Sequence, residues 1–177
     1  MAKPSTLRPV LVLVAICAVS GVLLGAVHQQ TQPIIEAAEV REAEQTYAAL
    51  LPGVSTFESL DVTAPGCIAA MRAHGKDGDT MGYVIVASQK GYGGDVPLAV
   101  AFDGNGVVMN VATMPNDETP GLGSKASDES YLSQYVGLEA RPASAESIDL
   151  ISGATITSTA VLEAFNHAVE GYQEVCA

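Results

Sequence analysis

Residues 10–27 read VLVLVAICAVSGVLLGAV, an unbroken run without one charged side chain. Wound as an α-helix, this run spans roughly 27 Å, close to the hydrocarbon thickness of a bilayer. No carboxylate interrupts it, and no clean small-x-small cleavage site follows it. The chain passes directly into His28, Gln29 and Gln30, a polar exit from the apolar run. The expectation is a retained transmembrane helix over residues 10–28, with a cleaved signal peptide as the competing reading. Lys3 and Arg8 precede the run, and the first thirty residues hold no Asp or Glu. The positive-inside rule then predicts a cytoplasmic N-terminus over residues 1–9, with everything beyond the span on the extracytoplasmic side of the cell (inner) membrane.

Charge narrows the class of partner. All 20 acidic residues lie beyond the span, against six basic ones: Arg41, Arg72, Lys76, Lys90, Lys125 and Arg141. So acidic a surface repels phosphate backbones, and nucleic acid is excluded as an expected partner. The three cysteines form no C-x-x-C pair, and the three histidines are scattered, so no metal or iron–sulfur site is expected. Cys17 lies in the apolar run as a small filler. Cys67 and Cys176 would face an oxidising compartment, where they either pair or remain two thiols.

Beyond the membrane, residues 29–53 predict a connecting helix that Gln32-Pro33 starts and Leu51-Pro52-Gly53 ends. Residues 54–177 form the domain. Runs 68–73 and 80–88 flank a Gly-Lys-Asp-Gly-Asp turn, and runs 96–102 and 107–113 flank Asp103-Gly104-Asn105-Gly106, so two hairpins are expected. A short helix over 130–136 and a strand over 147–151 follow. A last helix runs from about Ser158 to Tyr172, with Val161, Phe165, Ala168 and Tyr172 on one face, Leu162 and Val169 beside them, and Gly171 placed to end it. The fold class is α+β: an N-terminal transmembrane helix, then an extracytoplasmic domain of antiparallel strands with segregated helices.

The segment from Asp149 to Ser158 reads DLISGATITS. A helix N-terminus presents free backbone N–H groups and a partial positive charge, which suits a phosphate. Gly153 and Ala154 let the backbone approach such a group without a side-chain clash. Hydroxyls crowd the same turn at Ser152, Thr155, Thr157 and Ser158. Read alone, the segment is equally a strand–turn–helix in which Thr157 or Ser158 caps the helix.

The pattern resembles the site at which a flavin transferase esterifies the phosphate of flavin mononucleotide (FMN) to a threonine. The resemblance places the covalent FMN on Thr155, matching Asp149, Ser152, Gly153 and Ala154 to the rest of the motif, with Thr157 following. A second segment, Glu118-Thr119-Pro120-Gly121-Leu122-Gly123, with Gly91-Tyr92-Gly93-Gly94 upstream, is similar to the flavin-binding domain of the G subunit of the Rnf ion-translocating ferredoxin:NAD⁺ oxidoreductase. It is similar as well to the C subunit of the sodium-pumping NADH:quinone oxidoreductase. In that family Glu118, Thr119 and Leu122 would line the flavin, and Gly121 and Gly123 would let the loop fold round the ring. The resemblance covers essentially the whole chain, and its short length favours the Rnf protein.

What the resemblance implies is an electron-transfer subunit of a membrane ion-pumping complex. Its partners would be the other membrane and peripheral subunits, and a flavin transferase would mature it. No Ser-His-Asp or Cys-His arrangement suggests catalysis by the chain alone, so no catalytic residue is expected. Three alternatives stand beside this: the quinone-reductase homologue, a membrane-tethered binding module without cofactor, and a free-standing flavin domain serving a reductase outside the complex.

Overall fold

The structure, a computed structural model, describes residues 7–176. Residues 1–6, with Lys3 and most of the expected cytoplasmic segment, lie outside the described residues. The chain divides into two compact units, Met1–Glu42 and Ala43–Ala177.

In the first unit the apolar run is helical. Helix α1 covers Leu7–Leu50 without interruption, so Pro33 does not open a new helix as the sequence reading expects. A proline inside a helix removes one backbone hydrogen bond, and the turns on either side carry the helix past it. Within α1, Pro9–Gln32 is long and apolar enough to cross a membrane.

The second unit is a five-stranded antiparallel meander in the order β1-β2-β3-β4-β5. The strands are Thr56–Leu60, Cys67–His74, Thr80–Lys90, Asp95–Phe102 and Val108–Thr113. The two expected hairpins are β2–β3 and β4–β5. In the second turn, the Asp103 carboxylate accepts hydrogen bonds from the backbone N–H groups of Asn105 and Val107, at 2.9 and 2.8 Å. Strand β1, unanticipated in the sequence, adds an edge next to β2.

Helix α3, Thr155–Cys176, packs across β3 and β4. Val161, Leu162, Phe165, Ala168, Val169 and Tyr172 are all buried on its inner face, as their spacing predicts. Tyr135 stacks on Phe165 at 4.9 Å between ring centroids, and both rings are fully buried. On the other face of the sheet, Val84, Val86, Ala99 and Ala101 cluster with Leu50 and Leu51 at the end of α1.

Two elements differ from expectation. Residues 147–151 form no strand, because side chains capture the backbone: Asp149 N–H donates to Gln134 Oε1 at 2.9 Å and Ile151 N–H to Ser158 Oγ at 3.2 Å. Gly171 lies inside α3 instead of ending it. A Cβ there would stand 2.6 Å from Cys67 Sγ and 3.0 Å from Ile85 Cγ2, so glycine lets the helix seat closely on the sheet. Cys67 and Cys176 are both free thiols. Cys67 Sγ–H donates to the His167 carbonyl at 3.2 Å.

Candidate functional site

Three segments meet at one end of the domain: the β3–β4 connection at residues 91–94, the loop after β5 at residues 114–122, and the first turn of α3. Each is shaped by its sequence. In the loop, Thr119-Pro120-Gly121-Leu122 closes a tight turn, with Leu122 N–H donating to the Thr119 carbonyl at 3.1 Å. Pro120 fixes φ for the second position, and Gly121, at φ +77°, supplies the left-handed third. A 3-10 turn, Gly123–Ser127, and a short helix α2, Glu129–Leu132, follow. The Tyr131 hydroxyl of α2 donates to the Ser158 carbonyl at 3.3 Å, tying this region to α3.

Helix α3 begins three residues earlier than expected, at Thr155. Its first intrahelical bond is Ser158 N–H to the Ala154 carbonyl at 3.0 Å. The preceding N–H groups of Thr155, Ile156 and Thr157 therefore belong to the unpaired first turn, where the helix dipole favours an anion. Gly153 precedes them at φ +83°.

Between these segments lies a cleft of about 530 Å³, within the range usual for small-molecule sites. Tyr92, Glu118, Thr119, Leu122, Gly123, Gly153, Ala154, Thr155, Ile156 and Thr157 line it. Eight of the sequence-predicted residues are thus brought together. Gly121 shapes the turn but does not line the cleft. Asp149 and Ser152 are exposed and stand outside it, and Asp149 borders a separate, open depression with Lys125 and Asp128. Tyr92 and Ile156 also line the cleft; sequence reasoning quotes Tyr92 only as part of the Gly91–Gly94 segment and gives Ile156 no role. A tyrosine between glycines and an isoleucine directly after the Gly-Ala-Thr turn are the available signals.

The four hydroxyls of the turn divide by burial. Ser158 is fully buried, and its hydroxyl donates to the Ala154 carbonyl at 3.0 Å while accepting from Ile151 N–H. Thr157 is only 2% exposed. Its hydroxyl does not cap the helix; it donates to Glu118 Oε2 at 2.7 Å. Ser152 and Thr155 are exposed, and of these only Thr155 faces the cleft.

Glu118 is buried with its carboxylate inside this arrangement. Oε1 accepts from the backbone N–H groups of Tyr92 and Gly93 at 2.8 and 2.9 Å. Burial alone would raise its pKa. The hydrogen bonds from Thr157, Gly93, Tyr92 and Gly94 outweigh that, and the carboxyl lies below the ordinary glutamate range.

The residues present fit a flavin nucleotide on three counts. The cleft walls carry exposed apolar groups in Tyr92, Leu122 and Ile156, suited to a flat ring. Gly153 and Ala154 leave the backbone bare where a phosphate would approach. The open N–H groups of the first α3 turn supply its electrostatic complement.

Comparison with known proteins agrees with this geometry. Residues 91–170 match the family of FMN-binding domains. The G subunit of the proton-translocating ferredoxin:NAD(+) oxidoreductase complex of Clostridium ljungdahlii is 31% identical over 161 residues, covering 87% of this chain and 84% of its own. The G subunit of the ion-translocating oxidoreductase complex of Methanosarcina acetivorans is 28% identical, covering 92% of each chain. Two crystal structures share the fold. Shewanella oneidensis NqrC has a TM-score of 0.51 at 22% identity, covering 71% of this chain and 68% of its own. The C subunit of the Na(+)-translocating NADH-quinone reductase of Parabacteroides distasonis has a TM-score of 0.55 at 20% identity, covering 77% and 83%.

Proposed function

This chain belongs to the family of G subunits of the ion-translocating ferredoxin:NAD(+) oxidoreductase complexes, and we propose that it relays electrons within such a complex through FMN esterified to Thr155. The FMN-binding domain spans the three segments that form the cleft. The flavin itself supplies the redox chemistry, and the chain supplies its attachment, position and electrostatic surroundings. The partners are the other subunits of the complex, in keeping with relatives that are themselves parts of multi-protein complexes. The relatives that match over most of the chain are all G subunits, whereas the likeness to the quinone-reductase proteins lies in the fold. The complex with ferredoxin and NAD⁺ is therefore the favoured setting.

The observation that carries the attachment is the division of the hydroxyls. A transferase must reach the oxygen that it esterifies. Thr157 and Ser158 are buried and engaged, Ser152 does not line the cleft, and Thr155 is exposed on its wall. A phosphate on the Thr155 oxygen would lie at the unpaired N–H groups of the first turn. Pro9–Gln32 would anchor the chain in the membrane, with the N-terminus cytoplasmic and the flavin domain on the opposite side.

Co-expression of the full chain with a flavin transferase, followed by peptide mass spectrometry, tests the assignment. Thr155→Ala should abolish covalent flavin, and Thr157→Ala should retain it. Flavin kept on Thr155→Ala and lost on Thr157→Ala would reverse the assignment. Covalent flavin on no variant, wild type included, would refute the carrier reading.

A further inference from the structure

Among the described residues, the buried polar or charged side chains besides tyrosine are Glu118, Thr157 and Ser158, and only Glu118 is an anion. Burying a carboxylate is costly unless it is paired or well hydrogen-bonded. The ion pairs among the described residues join Arg72 and His74 to Glu58, and Arg141 to Glu139; none reaches Glu118. Its compensation comes from neutral donors: backbone N–H groups of the β3–β4 connection, those of Tyr92 and Gly93 closest, and the Thr157 hydroxyl.

Glycines surround this carboxylate where a larger residue would not fit. A Cβ on Gly91 would collide with Glu118 Oε1, and one on Gly123 with Glu118 Oε2 and, at 3.1 Å, with Thr157 Oγ1. A Cβ on Gly93 would collide with the Asp117 carbonyl beside it. The loop after β5, the β3–β4 connection and the first turn of α3 are thereby joined through one acceptor. The partners are all donors, which suits a group that only accepts. Glutamine would turn an NH₂ toward one of them. The charge thus comes with the clamp, on the wall of the cleft and bonded to Thr157, which is two residues from Thr155 along α3.

We infer that Glu118 is a positioning residue for the cofactor: its carboxylate holds the three walls of the cleft together and presents a fixed negative charge to the flavin, lowering its reduction potential. The inference rests on the reading that Thr155 carries FMN in this cleft. Reduction adds electrons to the ring, and adding negative charge beside an anion that no ion pair neutralises is opposed by Coulomb repulsion. Charges near the ring are one of the means by which a protein tunes a flavin. Neutral donors satisfy the carboxylate without cancelling its charge, whereas a lysine or arginine partner would have cancelled most of it.

The test is a spectroelectrochemical titration of the flavinylated full chain at fixed pH. Dithionite serves as reductant; it is oxidised to sulfite as two electrons pass to the ring and protons come from solvent. Glu118→Gln removes the charge at nearly constant shape and should raise the midpoint potential while leaving the flavin attached. Thr157→Val removes a donor but keeps the charge, and should not reproduce that rise. An unchanged potential in Glu118→Gln overturns the inference. An equal rise in both variants also overturns it, since the potential would then follow packing and not charge. Where Glu118→Gln fails to fold, Glu118→Met provides a neutral side chain of similar length with the same expected rise. If neither neutral variant folds, Glu118 is a folding determinant and the inference falls. Wild-type chain without covalent flavin would instead defeat the attachment to Thr155, a separate outcome visible in the mass spectrum before any titration.

Discussion

Replacing Thr157 with alanine removes the one side-chain donor to the Glu118 carboxylate among the described residues. The cost follows from two contributions. A hydrogen bond to a charged group contributes about 1.5–3 kcal/mol, and a buried methyl group lost from a residue only 2% exposed costs about 0.8 kcal/mol more. The expected destabilisation is therefore about 2–4 kcal/mol. A helix cap, the role that the sequence pattern suggests for Thr157, would cost about 1 kcal/mol. The two explanations also separate by pH. The folded pKa of Glu118 is depressed, so its contribution is fully present above the unfolded value of about 4.3 and is lost as pH falls through the lower folded value. Thr157→Ala lets the folded pKa climb back toward the ordinary value. The gap between wild type and variant should then be full at neutral pH and shrink below about pH 4. A lost cap would leave a gap indifferent to that carboxyl. Urea unfolding of the full chain in detergent, followed by near-UV circular dichroism of the buried tyrosines, measures the gap at each pH. A loss below about 0.5 kcal/mol at neutral pH, the range of an ordinary surface change, would refute the role given to this hydrogen bond.

Gly171→Ala should destabilise the domain by about 1–3 kcal/mol through overpacking against Cys67 and Ile85; an unchanged urea midpoint would mean that the helix and sheet separate freely there. Leu122 is 49% exposed, so Leu122→Ala should alter stability by no more than about 0.5 kcal/mol yet open the flavin to water. Its absorption and potential should shift, and a folded variant with unchanged spectrum and potential would remove Leu122 from the cofactor's surroundings. The intact mass of the membrane-extracted chain should include the residues before His28; a mature N-terminus near His28 would show that the apolar segment of α1 is a signal peptide.

The elements legible in the sequence are those specified locally. The two hairpins are marked by their turns, and the inner face of α3 by apolar residues at helical spacing. Strand β1 escaped because TFESL is short, lies at the edge of the sheet and is exposed at three of its five positions; pairing with β2 makes it a strand. The segment 147–151 misleads in the opposite sense. Ile148 and Leu150 alternate as an inward strand face would, but Gln134 and Ser158 take the backbone donors that a neighbouring strand would have needed. Pro33 likewise reads as a boundary, while the helix continues past it. In each case a partner remote in sequence, or the length of a surrounding helix, outweighs local preference.

The site divides in the same way. The small-residue turn before α3 is contiguous and therefore visible as a motif, and the resemblance to flavinylated domains attaches a chemistry to it. The resemblance puts Glu118 at the flavin, but its part as the acceptor at the centre of the site is not visible, because it meets Tyr92, Gly93 and Thr157 across separations of 26, 25 and 39 positions. The glycines show why no local rule recovers it. Gly121 and Gly123 stand two positions apart in one loop, and sequence alone gives both the same reading, flexibility. Gly121 has a left-handed backbone and nothing near its missing Cβ, so its turn is what requires glycine. Gly123 is buried in a 3-10 turn, and its missing side chain is the space that Glu118 and Thr157 occupy. Substitution at Gly121 therefore strains the backbone, whereas substitution at Gly123 displaces the carboxylate. The glycines at 91 and 123, which read as loop punctuation, belong instead to the packing of one buried anion.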